Sequence, residues 1–465
     1  MANTVGLSFG TDGVRGVAFE QLDETFCVAL GRAVAEVFGN QVFDNQVFGG
    51  DVEQASSQVC FIGLDTRESG PALAAALSAG LVAGGLTPKS LGVVPTPVVA
   101  HGSRRDQCLG AMISASHNVW SDNGIKIFAP GGAKLGDVAQ SQLQQRLDVH
   151  LAAGDAAEPV IVDDDETGVL SDYLDMVVAA VQGDSPTLPL ADMNVVLDCA
   201  HGAASPVAGR LFRRLGATVE VLNADPNGRN INERCGSTHP EALQARVSET
   251  GADLGLAFDG DADRLIAVAE DGSLVDGDRI MGLMALDLRD RGLLTDNTLV
   301  VTVMSNLGLR RAMESEGIRL LETGVGDRYV LEALGEHGLS LGGEQSGHLI
   351  FADIATTGDG MLSGALLAER ARRATDPMSV IAGAVMITYP QVLINVRVAE
   401  RPTDVAAVLS EEIAAAEAAL GDEGRVLVRA SGTEPLVRVM VEAASADGAQ
   451  TAAASLAKVV ESRLG

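Results

Sequence analysis

Apolar runs of strand length alternate with longer Ala- and Leu-rich stretches of helical period through most of this chain. Residues 59–64 predict a strand, 71–84 a helix, and 109–114 and 125–129 two further strands. The pattern restarts at 194–197 (strand), 203–215 (helix) and 217–222 (strand), and again at 265–269, 279–288, 298–304 and 309–315. Such alternation predicts an α/β fold with parallel or mixed sheets sandwiched by helices.

The character changes towards the end. A helix runs into a Thr-Asp-Pro breaker at 374–378, and beyond it come strands at 392–398, 426–429 and 437–441 and helices at 404–420 and 449–464. That is a smaller α+β module. Two more seams fall at acidic stretches, one at 163–167 and one at the loop that ends near Arg264. The expected organisation is four domains, 1–165, 166–264, 265–378 and 379–465, and 465 residues are too many for a single core. Within 40–57, Asn40-Gln41-Val42-Phe43 recurs as Asn45-Gln46-Val47-Phe48, which reads as a loop insertion.

Composition narrows the function classes. The longest apolar runs are strand-sized, far short of the roughly 20 residues a membrane-spanning helix needs, and no basic-then-apolar leader opens the chain. A cytoplasmic location is expected, with no membrane partner. The five cysteines are scattered and never spaced C-x-x-C, which speaks for reduced, buried thiols. A formal net charge of -30 with no basic run counts against a nucleic-acid partner. It also means that an anionic substrate requires positive charge concentrated within about one Debye length, roughly 8 Å. Only four lysines are present, and two of them, Lys126 and Lys134, follow closely on Ser114-Ala115-Ser116-His117-Asn118.

Four segments carry candidate chemistry. In Asp259-Gly260-Asp261-Ala262-Asp263-Arg264 the aspartates at i, i+2 and i+4 can point to one side of an extended chain. Three carboxylates that close repel one another unless a cation lies among them, and an all-oxygen set suits Mg²⁺. A solvated acidic turn remains open for this segment alone. An EF-hand is disfavoured, because Arg264 stands where the loop needs glycine. The Ser114–Lys126 segment follows a strand, so its serines emerge where α/β sheets place ligands, although it lacks the G-x-S-x-G of a hydrolase elbow. Arg429-Ala430-Ser431-Gly432-Thr433-Glu434-Pro435, with Arg438 beyond it, offers hydroxyls, backbone N–H groups and two guanidinium groups to a phosphate. No Walker A sequence occurs. Gly343-Glu344-Gln345-Ser346-Gly347-His348 presents groups that can read sugar hydroxyls.

Taken in order, Phe9-Gly10-Thr11-Asp12-Gly13-Val14-Arg15-Gly16 followed by these four loops resembles the α-D-phosphohexomutase superfamily over essentially the full length. Within that superfamily the resemblance, through Gly326-Asp327-Arg328-Tyr329-Val330 and the form of the last two loops, implies a glucosamine phosphate as substrate, with glucose or mannose phosphate as the rival. The resemblance implies three α/β domains and a smaller fourth around a central cleft. It implies a phosphoserine at Ser116 and Mg²⁺ held by Asp259, Asp261, Asp263 and a phosphoserine oxygen on Ser116. Arg15, Lys126 and Arg264 would line the transfer centre and His117 would move protons. Glu344, Ser346 and the segment around Gly326 would contact the sugar, and Arg429, Ser431, Gly432, Thr433 and Arg438 would grip the other phosphate. The partners would be the phosphosugar and a hexosamine 1,6-bisphosphate, in a monomer or homodimer. Val119 in place of a proline, and Ala262 in place of a glycine, depart from the family pattern.

Overall fold

The computed structural model describes residues 7–10, 13–39, 58–154, 157–163, 168–183, 187–399, 404–430 and 435–465. The 40–57 stretch and most of the 163–167 seam lie outside the described residues. The chain divides into two units, Met1–Met304 with Ile318–Ala382 and Ser305–Gly317 with Gly383–Gly465.

The first unit contains three sheets. The first is made by β1 (Val14–Val17), β2 (Val59–Leu64), β3 (Thr87–Val93), β4 (Leu109–Ile113) and β5 (Asp122–Phe128). Its helices are α1 (Glu24–Phe38), α2 (Gly70–Ala83), α3 (Thr96–Asp106) and α4 (Asp137–Ala153). The second has α5 (Val169–Gln182), β6 (Asn194–Asp198), α6 (Ala208–Arg214), β7 (Thr218–Leu222), α7 (Glu241–Thr250), β8 (Leu254–Phe258), β9 (Leu265–Ala269) and β10 (Leu274–Val275). The third sheet comprises β11 (Thr298–Thr302), β12 (Arg319–Thr323), β13 (Leu341–Gly343) and β14 (Leu349–Phe351). In sequence with it run α8 (Gly277–Asp290), α9 (Leu307–Ser315), α10 (Asp327–His337), α11 (Gly360–Arg373) and α12 (Met378–Val385), of which α9 and the last residues of α12 fall in the second unit.

One wiring scheme recurs in all three sheets. A strand pairs in parallel with its successor on one side and with the third strand on the other, and a fourth returns antiparallel beside the third. The orders are β3-β2-β4-β5, β7-β6-β8-β9 and β12-β11-β13-β14. Each sheet therefore carries one such hairpin, β4–β5, β8–β9 or β13–β14, and in the first two a further antiparallel strand lies beyond it, β1 beside β5 and β10 beside β9. The strands of β4, β8 and β9 are buried at every position, as strands covered on both faces must be, which is why they read as continuous apolar runs. Close helix packing needs glycine on both sides of the α1–α2 contact: a Cβ on Gly31 of α1 would lie 2.3 Å from the Leu77 carbonyl oxygen, and one on Gly80 of α2 2.1 Å from that of Val28.

The second unit holds a three-stranded antiparallel sheet, β15 (Gln391–Arg397), β17 (Leu436–Ala443) and β16 (Gly424–Ala430), in that spatial order. Its helices after α12 are α13 (Val405–Val408), α14 (Ser410–Leu420) and α15 (Ala446–Leu464), and its core is built on Val396, Val437, Val439 and Leu456.

Three expectations change. The acidic loop near Arg264 is the turn of the β8–β9 hairpin, so residues 265–269 continue the second sheet. The helix expected over 203–215 starts only at Ala208. Before it, Ala203 N–H donates to the Gly260 carbonyl at 2.8 Å, which diverts the backbone towards the acidic loop. The helix expected over 404–420 breaks at Leu409, a fully buried residue with φ -112° and ψ 19°.

Candidate active site

The turns of the three hairpins carry three of the four candidate loops: 114–121 after β4, 259–264 after β8 and 344–348 after β13. The first two meet at their side chains. Ser116 is 1% exposed, adopts a left-handed φ of 53°, and its Oγ donates to Asp259 Oδ2 at 2.5 Å. His117 Nδ1 lies 3.4 Å from the same Oγ. Burial, with Arg264 and Arg15 nearby, drops the His117 pKa to about 4, so the imidazole is neutral at pH 7.

Asp259, Asp261 and Asp263 are all buried, and each offers a carboxylate oxygen within 4.8 Å of the others. Lys126, on β5, donates to Asp261 Oδ2 and to Asp263 Oδ2, both at 2.9 Å, and Thr96 Oγ1 donates to Asp261 Oδ2 at 2.6 Å. Asp261 Oδ1 and Asp263 Oδ1 are buried and have no hydrogen-bond partner. Burial first, then the charges of Asp263 and Asp261, lift the Asp259 pKa to about 8. Burial also pushes Asp263 upward, but Lys126, His348 and Arg264 outweigh it and hold that carboxyl well below its usual range. Orphaned carboxylate oxygens clustered around less than enough positive charge fit a divalent, oxygen-seeking cation.

The sugar-reading candidates sit in the same unit. Burial raises the Glu344 pKa, and Glu344 Oε1 accepts the Gly326 N–H at 3.2 Å, which joins the two predicted sugar segments. Ser346 is exposed. Arg264 N–H donates to Asp259 Oδ1 at 3.2 Å. In the second unit, Arg429 and Arg438 face each other across β16 and β17. Burial and the like charge of Arg438 lower the Arg429 pKa. Ser431, Gly432 and Thr433 lie outside the described residues.

Sequence reading missed Thr96, Asp65 and Arg67, and it named His348 and Lys134 without giving either a partner. His348, 3% exposed, places Nδ1 3.7 Å from Asp263 Oδ1 and accepts the Gly358 N–H on Nε2 at 3.1 Å. Lys134 pairs with Asp327. Arg67 and Asp65 form an ion pair with both side chains fully buried. Thr96, Asp65 and Arg67 all follow the C-terminal ends of parallel strands, and that position was the available signal. Among the described residues no helix is long and apolar enough to cross a membrane.

Models of the phosphoglucomutase/phosphomannomutase family match four successive segments: alpha/beta/alpha domain I over residues 6–150, domain II over 171–272, domain III over 276–389 and the C-terminal domain over 393–459. The chain is 48% identical over 462 residues to the phosphoglucosamine mutase of Rhodococcus jostii, covering 98% of this chain and 100% of that one. It is 48% identical over 459 residues to that of Mycolicibacterium paratuberculosis, covering 98% and 99%. A phosphoglucomutase/phosphomannomutase family protein from Burkholderia thailandensis superposes with a TM-score of 0.76 at 27% identity, covering 97% of each chain. The N-acetylphosphoglucosamine mutase of Aspergillus fumigatus, solved with GlcNAc-6P and magnesium, shares the fold with a TM-score of 0.65 at 19% identity, covering 99% and 97%. With all four domain models matched in order and relatives at 48% identity along the whole length, this chain belongs to the phosphoglucomutase/phosphomannomutase family of α-D-phosphohexomutases.

Proposed function

We propose that this chain is a cytoplasmic phosphoglucosamine mutase that interconverts glucosamine 6-phosphate and glucosamine 1-phosphate through phosphorylated Ser116 and a 1,6-bisphosphate. The observation that carries the reading is the 2.5 Å approach of Ser116 Oγ to Asp259 in the acidic triad. The sugar rests on relatives named phosphoglucosamine mutase over the full length.

Asp259, Asp261 and Asp263, with an oxygen of phosphorylated Ser116, would hold Mg²⁺, which bound there supplies positive charge to the transferring phosphoryl oxygens. The chain's own residues do the rest. Phosphoryl transfer calls for in-line placement and charge cover more than covalent assistance. Lys126, Arg15 and Arg264 give that cover. In the first half-reaction the bond from phosphorus to Ser116 Oγ breaks and a bond to O1 of glucosamine 6-phosphate forms, and His117, neutral at pH 7 and beside Oγ, is suited to take the O1 proton and pass it to the freed serine oxygen. After the bisphosphate turns round, Ser116 Oγ takes the phosphoryl group from O6. Glu344, Ser346 and the backbone at Gly326 hold sugar hydroxyls in both orientations. Arg429 and Arg438, whose facing charges a dianion relieves, grip the phosphate not in transfer, together with Ser431, Gly432 and Thr433.

The test is a coupled assay for glucosamine 1-phosphate formation, run beside glucose and mannose phosphates and repeated with Ser116→Ala. Preferred turnover of the amino sugar, lost in the variant, is expected. More than trace turnover in freshly purified Ser116→Ala protein removes Ser116 as the phosphoryl carrier.

A further inference from the structure

Both ends of residue 116 are gripped by one buried ion pair. The Ser116 N–H donates to Ser114 Oγ at 2.9 Å, and Ser114 Oγ donates to Asp65 Oδ2 at 2.6 Å. The same Asp65 oxygen accepts Arg67 Nε at 2.8 Å, and Arg67 Nη2 returns to the Ser116 carbonyl at 3.0 Å. The ring closes on itself. Arg67 is 1% exposed and also donates to the carbonyls of Asn118 at 2.9 Å and Asp122 at 2.9 Å, and to that of Val119.

A second donor arrives from the second sheet's domain. Asn232 Nδ2 donates to the carbonyls of Ser116 at 2.9 Å and Asn118 at 3.0 Å, the same two that Arg67 Nη2 bridges. The lone pairs of the Ser116 carbonyl are thus both engaged. Gly260, between two of the triad aspartates, makes the remaining wall: a Cβ there would stand 2.5 Å from the Ser116 carbonyl oxygen and 2.9 Å from Asn232 Nδ2.

This grip has something to hold. A left-handed φ is strained at a non-glycine residue and persists only when its surroundings fix it. At Ser116 that backbone geometry accompanies the 2.5 Å approach of Oγ to Asp259. We propose that Arg67 and Asn232 are positioning residues for phosphoryl transfer: by clamping the Ser116 and Asn118 carbonyls from two domains, they hold the phosphorylated serine in line with its acceptor. The inference rests on the reading of Ser116 as phosphoryl carrier. Neither side chain need touch the sugar, so the effect belongs to kcat and to the rate at which Ser116 is loaded, and KM is spared.

The test uses the dephosphorylated full chain, glucose 1,6-bisphosphate as the phosphoryl donor, and intact mass to follow phosphate arriving on Ser116. Asn232→Gly removes the donor yet keeps a residue at home at that position's φ of 58°. Arg67→Lys keeps the charge opposite Asp65 but loses the fork. Both variants are expected to load and turn over about ten- to a hundredfold more slowly, the scale of a small misplacement of reacting groups, with KM for glucosamine 6-phosphate within about twofold of wild type. Should Arg67→Lys fail to fold, Asn232→Gly decides alone. Loading of Asn232→Gly at the wild-type rate overturns the inference, as does a loss that merely follows the unfolded fraction in a thermal melt. Failure of wild-type protein to take phosphate on Ser116 overturns the mutase reading itself, which keeps the two failures apart.

Discussion

Lys126 Nζ lies 2.9 Å from Asp261 Oδ2, the oxygen that Thr96 also holds, and equally far from Asp263 Oδ2. In a chain with a formal charge of -30, this 2%-exposed lysine stands against a buried triad of carboxylates. Removing one partner of a buried ion pair costs about 3–5 kcal/mol, because the other charge is left without compensation. Lys126→Met is therefore expected to melt well below wild type in EDTA. The gap should narrow in millimolar Mg²⁺, which supplies replacement charge at the same oxygens. Turnover should fall about a hundredfold or more, since in the proposed mechanism the ammonium also covers the transferring group. Equal melting temperatures in EDTA would mean that the lysine does not neutralise the triad.

Metal removal follows from the same arithmetic. Asp261 Oδ1 and Asp263 Oδ1 have no hydrogen-bond partner, so a dication bound there would satisfy buried oxygens that no hydrogen bond reaches. Dialysis against EDTA is expected to abolish turnover and Mg²⁺ to restore it. Saturating Mg²⁺ at about a hundred times its Kd should stabilise the protein by about 2.7 kcal/mol. Asp261→Ala should erase the Mg²⁺-dependent rise in melting temperature. A variant that keeps the full rise would place the ion elsewhere.

The candidate site was legible where its residues are local. The run from Asp259 to Asp263 and the turn at Ser116 each carry their signature within a few residues, and the hairpins bring them together. Arg67 and Thr96 were not legible for the opposite reason. Arg67 acts on carbonyls up to 55 residues away and Thr96 on a carboxylate 165 residues away, and apart from their places after parallel strands no neighbouring residue marks either role. Arg264 shows how a one-dimensional reading errs: an acidic tract between apolar runs looks like a linker, but its charges turn inward to one another and to Lys126, so it is a buried hairpin turn. The helix expected from residue 203 failed because a tertiary contact, Ala203 N–H to the Gly260 carbonyl, overrode local propensity.

Ala262, between two of the triad aspartates, is fully buried with a φ of 57°. Left-handed geometry costs an L-residue roughly 1–2 kcal/mol, which favours Ala262→Gly. Against that, glycine loses more conformational freedom on folding, roughly 0.5–1 kcal/mol, and a buried methyl contributes about 0.8 kcal/mol. The terms nearly cancel, so the expected change in melting temperature is small and turnover stays near wild type. A loss of several degrees would show that the methyl packs the loop, and a gain of several degrees that strain dominates.

Asp359 offers a pH dependence away from the reacting atoms. Its carboxylate caps α11 through the Leu362 N–H at 2.9 Å and accepts the Tyr173 hydroxyl at 2.8 Å. Burial lifts its pKa to about 6 despite those hydrogen bonds, against about 4 in an unfolded chain. Between those values the folded state binds the extra proton. Its contribution to stability is therefore complete below about pH 4, declines as pH rises towards about 6, and is flat beyond. The full swing is about 3 kcal/mol. Asp359→Asn keeps an acceptor for the cap and removes the charge, so the variant should gain on wild type by a few degrees of melting temperature between pH 4.5 and 7. A difference that stays constant across that range would mean the buried carboxyl titrates normally, and that Tyr173 and the helix cap offset its burial in full.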